Sequence, residues 1–144
     1  GLGITVHAGE AGGANNVLYA IRKLKATRIG HGIRSIESSS VMSLLRERNV
    51  LLELCPTSNV HTKTVSNIKE HPVDKFYDQG IPISIGDDDP VTSRTKVSQE
   101  LTLLENCFGF ELDDLKNIQR MSIEAAFITD PKLKAKLLKI VSNT

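Results

Sequence analysis

Imidazoles and carboxylates recur in this chain where short apolar runs end. Ile4-Thr5-Val6 delivers His7 and, shortly after it, Glu10; Thr27-Arg28-Ile29-Gly30 delivers His31. Val50-Leu51-Leu52-Glu53-Leu54 leads to Cys55-Pro56-Thr57-Ser58-Asn59, and Pro82-Ile83-Ser84-Ile85-Gly86 leads to Asp87-Asp88-Asp89-Pro90. Nitrogen and carboxylate-oxygen donors of this kind can bind a divalent ion such as zinc. The ion then acidifies water, and a nearby carboxylate donates or accepts protons. This set therefore suits metal-assisted hydrolysis, with Glu10 as the proton carrier. Three adjacent carboxylates at Asp87 to Asp89 repel one another, and burying them at a strand end is costly without a compensating cation. Gly30 and Gly32 on either side of His31 let backbone or ligand approach closely. The Cys-Pro-Thr-Ser-Asn run reads equally as a strand stop and as part of a site. Gly12-Gly13 lacks both GxGxxG and GK[ST], so it is not taken as a phosphate loop.

The elements that must position these residues follow a regular rhythm. His7, His31, Cys55 and Asp88 stand 24, 24 and 33 positions apart, with a helical pattern in every gap. The first helix carries Val17, Leu18, Ile21 and Leu24 on one face. The second is capped by Ser38-Ser39-Ser40, carries Val41, Leu44 and Leu45, and closes at Asn49. A polar stretch after Asn59 reads as a functional loop, and a third helix runs from near Pro72 through Phe76 and Tyr77 to Gly80. Repeated βα units of this kind make neighbouring parallel strands by right-handed crossovers, so the four strand ends share one rim. His7, His31 and the aspartates can converge there although they are distant in sequence. From residue 95 the pattern is helical, with stripes at Val97, Leu101 and Leu104 and at Leu112, Leu115, Ile118 and Met121. A last helix starts at Asp130-Pro131 and carries Leu133, Leu137, Leu138 and Val141. Its lysines at 132, 134, 136 and 139 read as a solvated face.

Composition narrows the function classes. The 144 residues are 40% apolar and 24% charged with formal net charge +1, which gives no electrostatic case for nucleic acid or an anionic membrane surface. Aromatics make up 4% and Trp is absent, which argues against base-stacking platforms. Cys55 and Cys107 lack CxxC spacing, so two reduced thiols in the cytoplasm are expected. The sequence shows neither a membrane span nor a signal peptide. It begins Gly1-Leu2-Gly3, with a strand almost at once, and the expectation is that a segment upstream has been removed.

The motifs His7-Ala8-Gly9-Glu10, Arg28-Ile29-Gly30-His31-Gly32, Cys55-Pro56-Thr57-Ser58-Asn59 and Asp88-Asp89-Pro90 together resemble the adenosine deaminase family of metal-dependent hydrolases. Ala125-Ala126-Phe127 and the last helix are similar to that family's C-terminal end. The resemblance implies an α/β fold, the C-terminal half of a TIM-type (β/α)8 barrel. Residues 1–144 would form one unit, with strands five to eight and their helices in 1–90 and closing helices in 91–144. It implies hydrolytic deamination of adenosine to inosine by a zinc-bound hydroxide, with a small purine nucleoside as ligand. His7 and Asp88 would be zinc ligands, Glu10 would protonate purine N1 as water attacks C6, His31 would orient the hydroxide, and Asp89 would bond purine N7. Glu10 must then carry a proton when substrate is bound, which calls for an apolar, closed pocket.

The chain departs from the family pattern in two places. The His-x-His motif of strand one is absent, and Gly86-Asp87 stands where Asn-Thr is usual. One imidazole and one carboxylate are too few for a catalytic zinc, so the remaining ligands are expected from an N-terminal half of the same barrel. Alone, half a barrel is expected to expose strand edges and an apolar face, and to associate. Two other readings are a non-catalytic half-barrel that binds a purine or a partner chain, and a related amidohydrolase such as an adenine deaminase.

Overall fold

The computed structural model describes residues 2–143. Its elements run β1 (Thr5–Ala8), α1 (Ala14–Arg22), β2 (Arg28–His31), α2 (Ser39–Glu47), β3 (Leu51–Leu54), α3 (Pro56–His61), α4 (Val73–Asp78) and β4 (Ile83–Ile85). Four helices follow: α5 (Pro90–Ser93), α6 (Val97–Phe108), α7 (Leu112–Ala125) and α8 (Pro131–Asn143). The strands form one parallel sheet in the order β1-β2-β3-β4, with His7 beside Gly30 and Gly30 beside Glu53. Four consecutive βα units in this order are half the wall of a (β/α)8 barrel.

Strand alternation sorts the sheet into two faces. Val6, Ala8, Ile29, Leu52, Leu54 and Ile83 point to the helices. There they meet Val17 and Ile21 of α1, Val41 and Leu45 of α2, Phe76 of α4, Leu104 of α6, and Ile118 of α7. Phe76 and Leu45 are fully buried, and each such side chain contributes roughly 1.5–3 kcal/mol of hydrophobic burial. The other face carries Thr5, His7, Arg28, Gly30, Glu53 and Ser84. Thr5 donates to Glu53 Oε2 at 2.7 Å, and Arg28 donates through Nε (2.7 Å) and Nη2 to Glu53 Oε1. Gly30 leaves space between His7 and Glu53, since a Cβ there would sit 3.4 Å from His7 Cα and 3.8 Å from Glu53 Oε2.

Several expectations change here. The uncovered sheet face is polar and not apolar. An apolar groove lies beside β4, lined by Ile85, Val97, Leu101, Ile118 and Ile123. The Cys-Pro-Thr-Ser-Asn run enters the helix α3, in which Asn59 N–H donates to Cys55 C=O and Thr62 N–H to Ser58 C=O. Of the polar stretch after Asn59 only Val60 and His61 are helical, and from Thr62 the chain runs through turns as a loop. Pro56 starts this helix because its fixed φ suits the first turn and its missing N–H has no partner to lose there. α1 stops at Arg22, and a left-handed Lys25 (φ 60°) turns the chain so that Leu24 faces solvent. Ser38 caps α2 by accepting from Val41 N–H, as read from the sequence. Among the described residues no helix is long and apolar enough to cross a membrane.

Candidate active site

The site lies at the carboxyl ends of the four strands and is held together by α3. Asn59, fully buried, donates from Nδ2 to Glu10 Oε1 and to His31 Nδ1, both at 3.1 Å. Thr62, the residue after α3, donates its hydroxyl to the same Glu10 Oε1 at 3.0 Å. Ser58 donates to Asp88 Oδ2 at 2.6 Å. One helical turn after β3 thus links the ends of β1, β2 and β4. The helix start is itself braced: Glu100 of α6, 1% exposed, accepts from Thr57 N–H (3.0 Å) and from the Thr95 hydroxyl (2.7 Å).

The predicted site residues come together in part. Glu10 Oε2 lies 3.1 Å from His7 Nε2 and 3.6 Å from His31 Nε2, and His31 Nε2 lies 3.8 Å from Asp88 Oδ2. The His7 and His31 rings are 4.4 Å apart, centroid to centroid. Alternation alone would turn His31 toward the helices, the face opposite His7. Its left-handed backbone (φ 62°) breaks the alternation at the strand end, and Asp88 (φ 58°) does the same after β4. His31 is buried, and that desolvation, aided by His7, holds its pKa below the usual imidazole value against the opposing pull of Glu10 and Asp88. Asp89 stands apart from the cluster, exposed, as the N-cap of α5. Its carboxylate accepts from Thr92 Oγ1 (2.7 Å) and from the N–H groups of Thr92 and Val91, and these donors hold its pKa low.

The donor set can be tested against a metal. Two groups among the described residues bring ligand atoms within 4.8 Å of one another: His7 with Glu10 and His31, and His31 with Cys55 and Asp88. His7 and Asp88, the predicted ligand pair, fall in different groups, with His31 between them. The Cys55 thiol is pushed up to about 12, chiefly by burial, so it is a neutral S–H rather than a ready ligand. Imidazole and carboxylate donors suit zinc. They fit part of a catalytic site, and His7, with an open side chain, faces the side where further ligands could enter.

Sequence reasoning passed over Asn59, Ser58, Thr62 and His71. The first two sat within a motif already quoted, and the run of small polar residues at a strand end was the available signal. His71 carried none beyond its place before Pro72.

A parallel βα sheet that gathers imidazoles and carboxylates at the carboxyl ends of its strands defines half of a (β/α)8 barrel of the class that carries its site on that rim. More narrowly, the chain belongs to the adenosine deaminase family, whose profile, described as "Adenosine deaminase", matches residues 1–144. The adenosine deaminase of Shewanella loihica is 42% identical over 135 residues, covering 94% of this chain and 41% of that protein. The chain thus spans about two fifths of the length of the curated relatives it matches. The crystal structure of an adenine deaminase from Arthrobacter aurescens superposes with a TM-score of 0.93 at 30% identity, covering 96% of this chain and 42% of that one. An amidohydrolase from Burkholderia ambifaria with bound Zn gives a TM-score of 0.81 at 26% identity, over 97% and 42%.

Proposed function

We propose that this chain supplies the C-terminal half of an active site that hydrolyses the exocyclic amine of adenosine, giving inosine and ammonia. The observation that carries the reading is the α3 cluster, in which one buried amide serves Glu10 and His31 and a hydroxyl serves Asp88. His7 and Asp88 are the residues here that would hold a zinc ion, with its other ligands on the N-terminal half of the barrel. The ion supplies Lewis acidity and lowers the pKa of water.

Glu10 is the proton donor to purine N1. Thr62 and Asn59 occupy its Oε1, so the proton resides on Oε2, the oxygen turned into the site. His31, kept neutral by burial, orients the attacking water through Nε2. Asp89 contacts the imidazole edge of the purine. N7 only accepts, so this contact requires a proton on Asp89, against the three capping donors that hold its pKa low. We place the protein in the cytoplasm, where the free Cys55 and Cys107 would stay reduced.

The close superposition on an adenine deaminase supports adenine as a second substrate reading. The test uses a polypeptide carrying both halves of the barrel, loaded with zinc and offered adenosine or adenine. Inosine from adenosine supports the first reading and hypoxanthine from adenine the second. Glu10→Gln and Asp88→Ala should each lower turnover by at least about a hundredfold. Normal rates in both variants would refute these roles, and purine binding without turnover would favour a non-catalytic half-barrel.

A further inference from the structure

His71 belongs to none of the strand-end motifs, yet it is 1% exposed and borders the site. It follows the 3-10 turn Ile68–Glu70. Its Nε2 lies 3.2 Å from Asn59 Oδ1, while its Nδ1 is buried without a hydrogen-bond partner.

The proton positions follow from which atoms can donate. Asn59 has two N–H bonds and one acceptor oxygen. Glu10 Oε1 already takes the Thr62 hydroxyl, so it needs a further donor and not an acceptor. The Asn59 nitrogen must therefore face Glu10 and His31, and Oδ1 must face His71. Oδ1 can only accept, so His71 must carry its proton on Nε2. His31 Nδ1 receives an Asn59 N–H, so a neutral His31 must carry its proton on Nε2 as well, the nitrogen facing Glu10 and Asp88.

We propose that His71 is a positioning residue: its Nε2–H holds the Asn59 amide in one orientation and, through that amide, fixes His31 as the Nε2–H tautomer. Without this donor the amide is free to turn over. A turned amide sets Oδ1 against the Glu10 carboxylate and selects the opposite tautomer of His31. Burial pushes the His71 pKa down to about 4, so the ring stays neutral and offers a single N–H near pH 7. The proposal rests on the deaminase reading for its kinetic consequence; the tautomer stands apart from it.

The experiment compares His71→Gln, whose amide can replace the Nε2–H donor, with His71→Met, which is of similar length and donates nothing. Both are made in the polypeptide carrying both halves of the barrel. Long-range 1H–15N correlations on histidine-labelled protein, with and without zinc, read the tautomers. Wild type and His71→Gln should show His31 as Nε2–H, and His71→Met should show a mixture or Nδ1–H. His71→Met should lower kcat roughly 10- to 100-fold, with KM changed by less than about threefold, and His71→Gln should restore kcat. A wild-type His31 protonated on Nδ1 overturns the proposal even if the Met variant does not fold. So does a folded Met variant with unchanged tautomer and kcat. A wild type with the expected tautomers and no deamination would sink the enzyme reading and leave the relay standing.

Discussion

Acidification should destabilise this fold through His71 in a way that one substitution isolates. Burial, reinforced by His31, lowers the His71 pKa from 6.5 to about 4. Between those values the unfolded chain binds the proton more readily than the folded one. The stability that the neutral ring contributes is thus complete above pH 6.5. It falls as pH drops, and levels off below about 4. Linkage arithmetic on that shift gives a loss of roughly 2 kcal/mol at pH 5 and roughly 3 kcal/mol at pH 4, relative to neutral pH. His71→Gln keeps a donor for Asn59 but cannot titrate. Urea unfolding of wild type and variant, from pH 7 to pH 4, should give curves that converge or cross as pH falls. Acid release of a bound ion affects both proteins alike and cancels in the difference. Parallel curves would refute the premise that His71 is buried neutral.

Two further substitutions test the frame around the site. Gly32→Ala places a side chain at φ +68°, with its Cβ 2.6 Å from Leu52 Cδ2; it should cost about 1–3 kcal/mol, read as a lower thermal midpoint, and an unchanged midpoint counts against this backbone geometry. Glu100→Ala strips the acceptor from Thr57 N–H and the Thr95 hydroxyl and should cost about 2–4 kcal/mol in denaturant unfolding. Glu100→Gln, which keeps one acceptor oxygen, should cost less, and equal losses would show that the two hydrogen bonds are not the cause.

The order of strands and helices was legible because βα units print two periods in turn, and because Ser38, Pro56, Pro72 and Gly80 mark helix ends by their own chemistry. The convergence of Glu10, His31 and Asp88 followed from topology: parallel strands share a rim. The polarity of the uncovered face was also written in the chain, as Thr5 and His7 alternate with Val6 and Ala8. It was missed because each strand was read as one apolar run. The roles of Asn59 and His71 could not be read in the same way. They depend on a six-residue helix whose partners lie 12, 28 and 49 positions away, and no local pattern encodes which neighbour an amide will face.

Strand ends and helix make complementary contributions to this site. After β1, β2 and β4 the chain turns through left-handed residues at Gly9 (φ 72°), His31 (φ 62°) and Asp88 (φ 58°). For the two non-glycine residues that conformation is strained by on the order of 1 kcal/mol each, and such strain persists only where its surroundings over-determine it. The surroundings here are Asn59, donating to His31, and Ser58, donating to Asp88, both carried by α3. β3 lacks a left-handed end: Cys55 is at φ −130° and the chain enters α3 directly at Pro56. The strand that contributes neither an imidazole nor a carboxylate to the cluster therefore supplies the neutral donors that hold the other three ends in place. That division has a chemical reason, since neutral amide and hydroxyl groups can fix the direction of an imidazole or a carboxylate without adding a charge that competes for its proton.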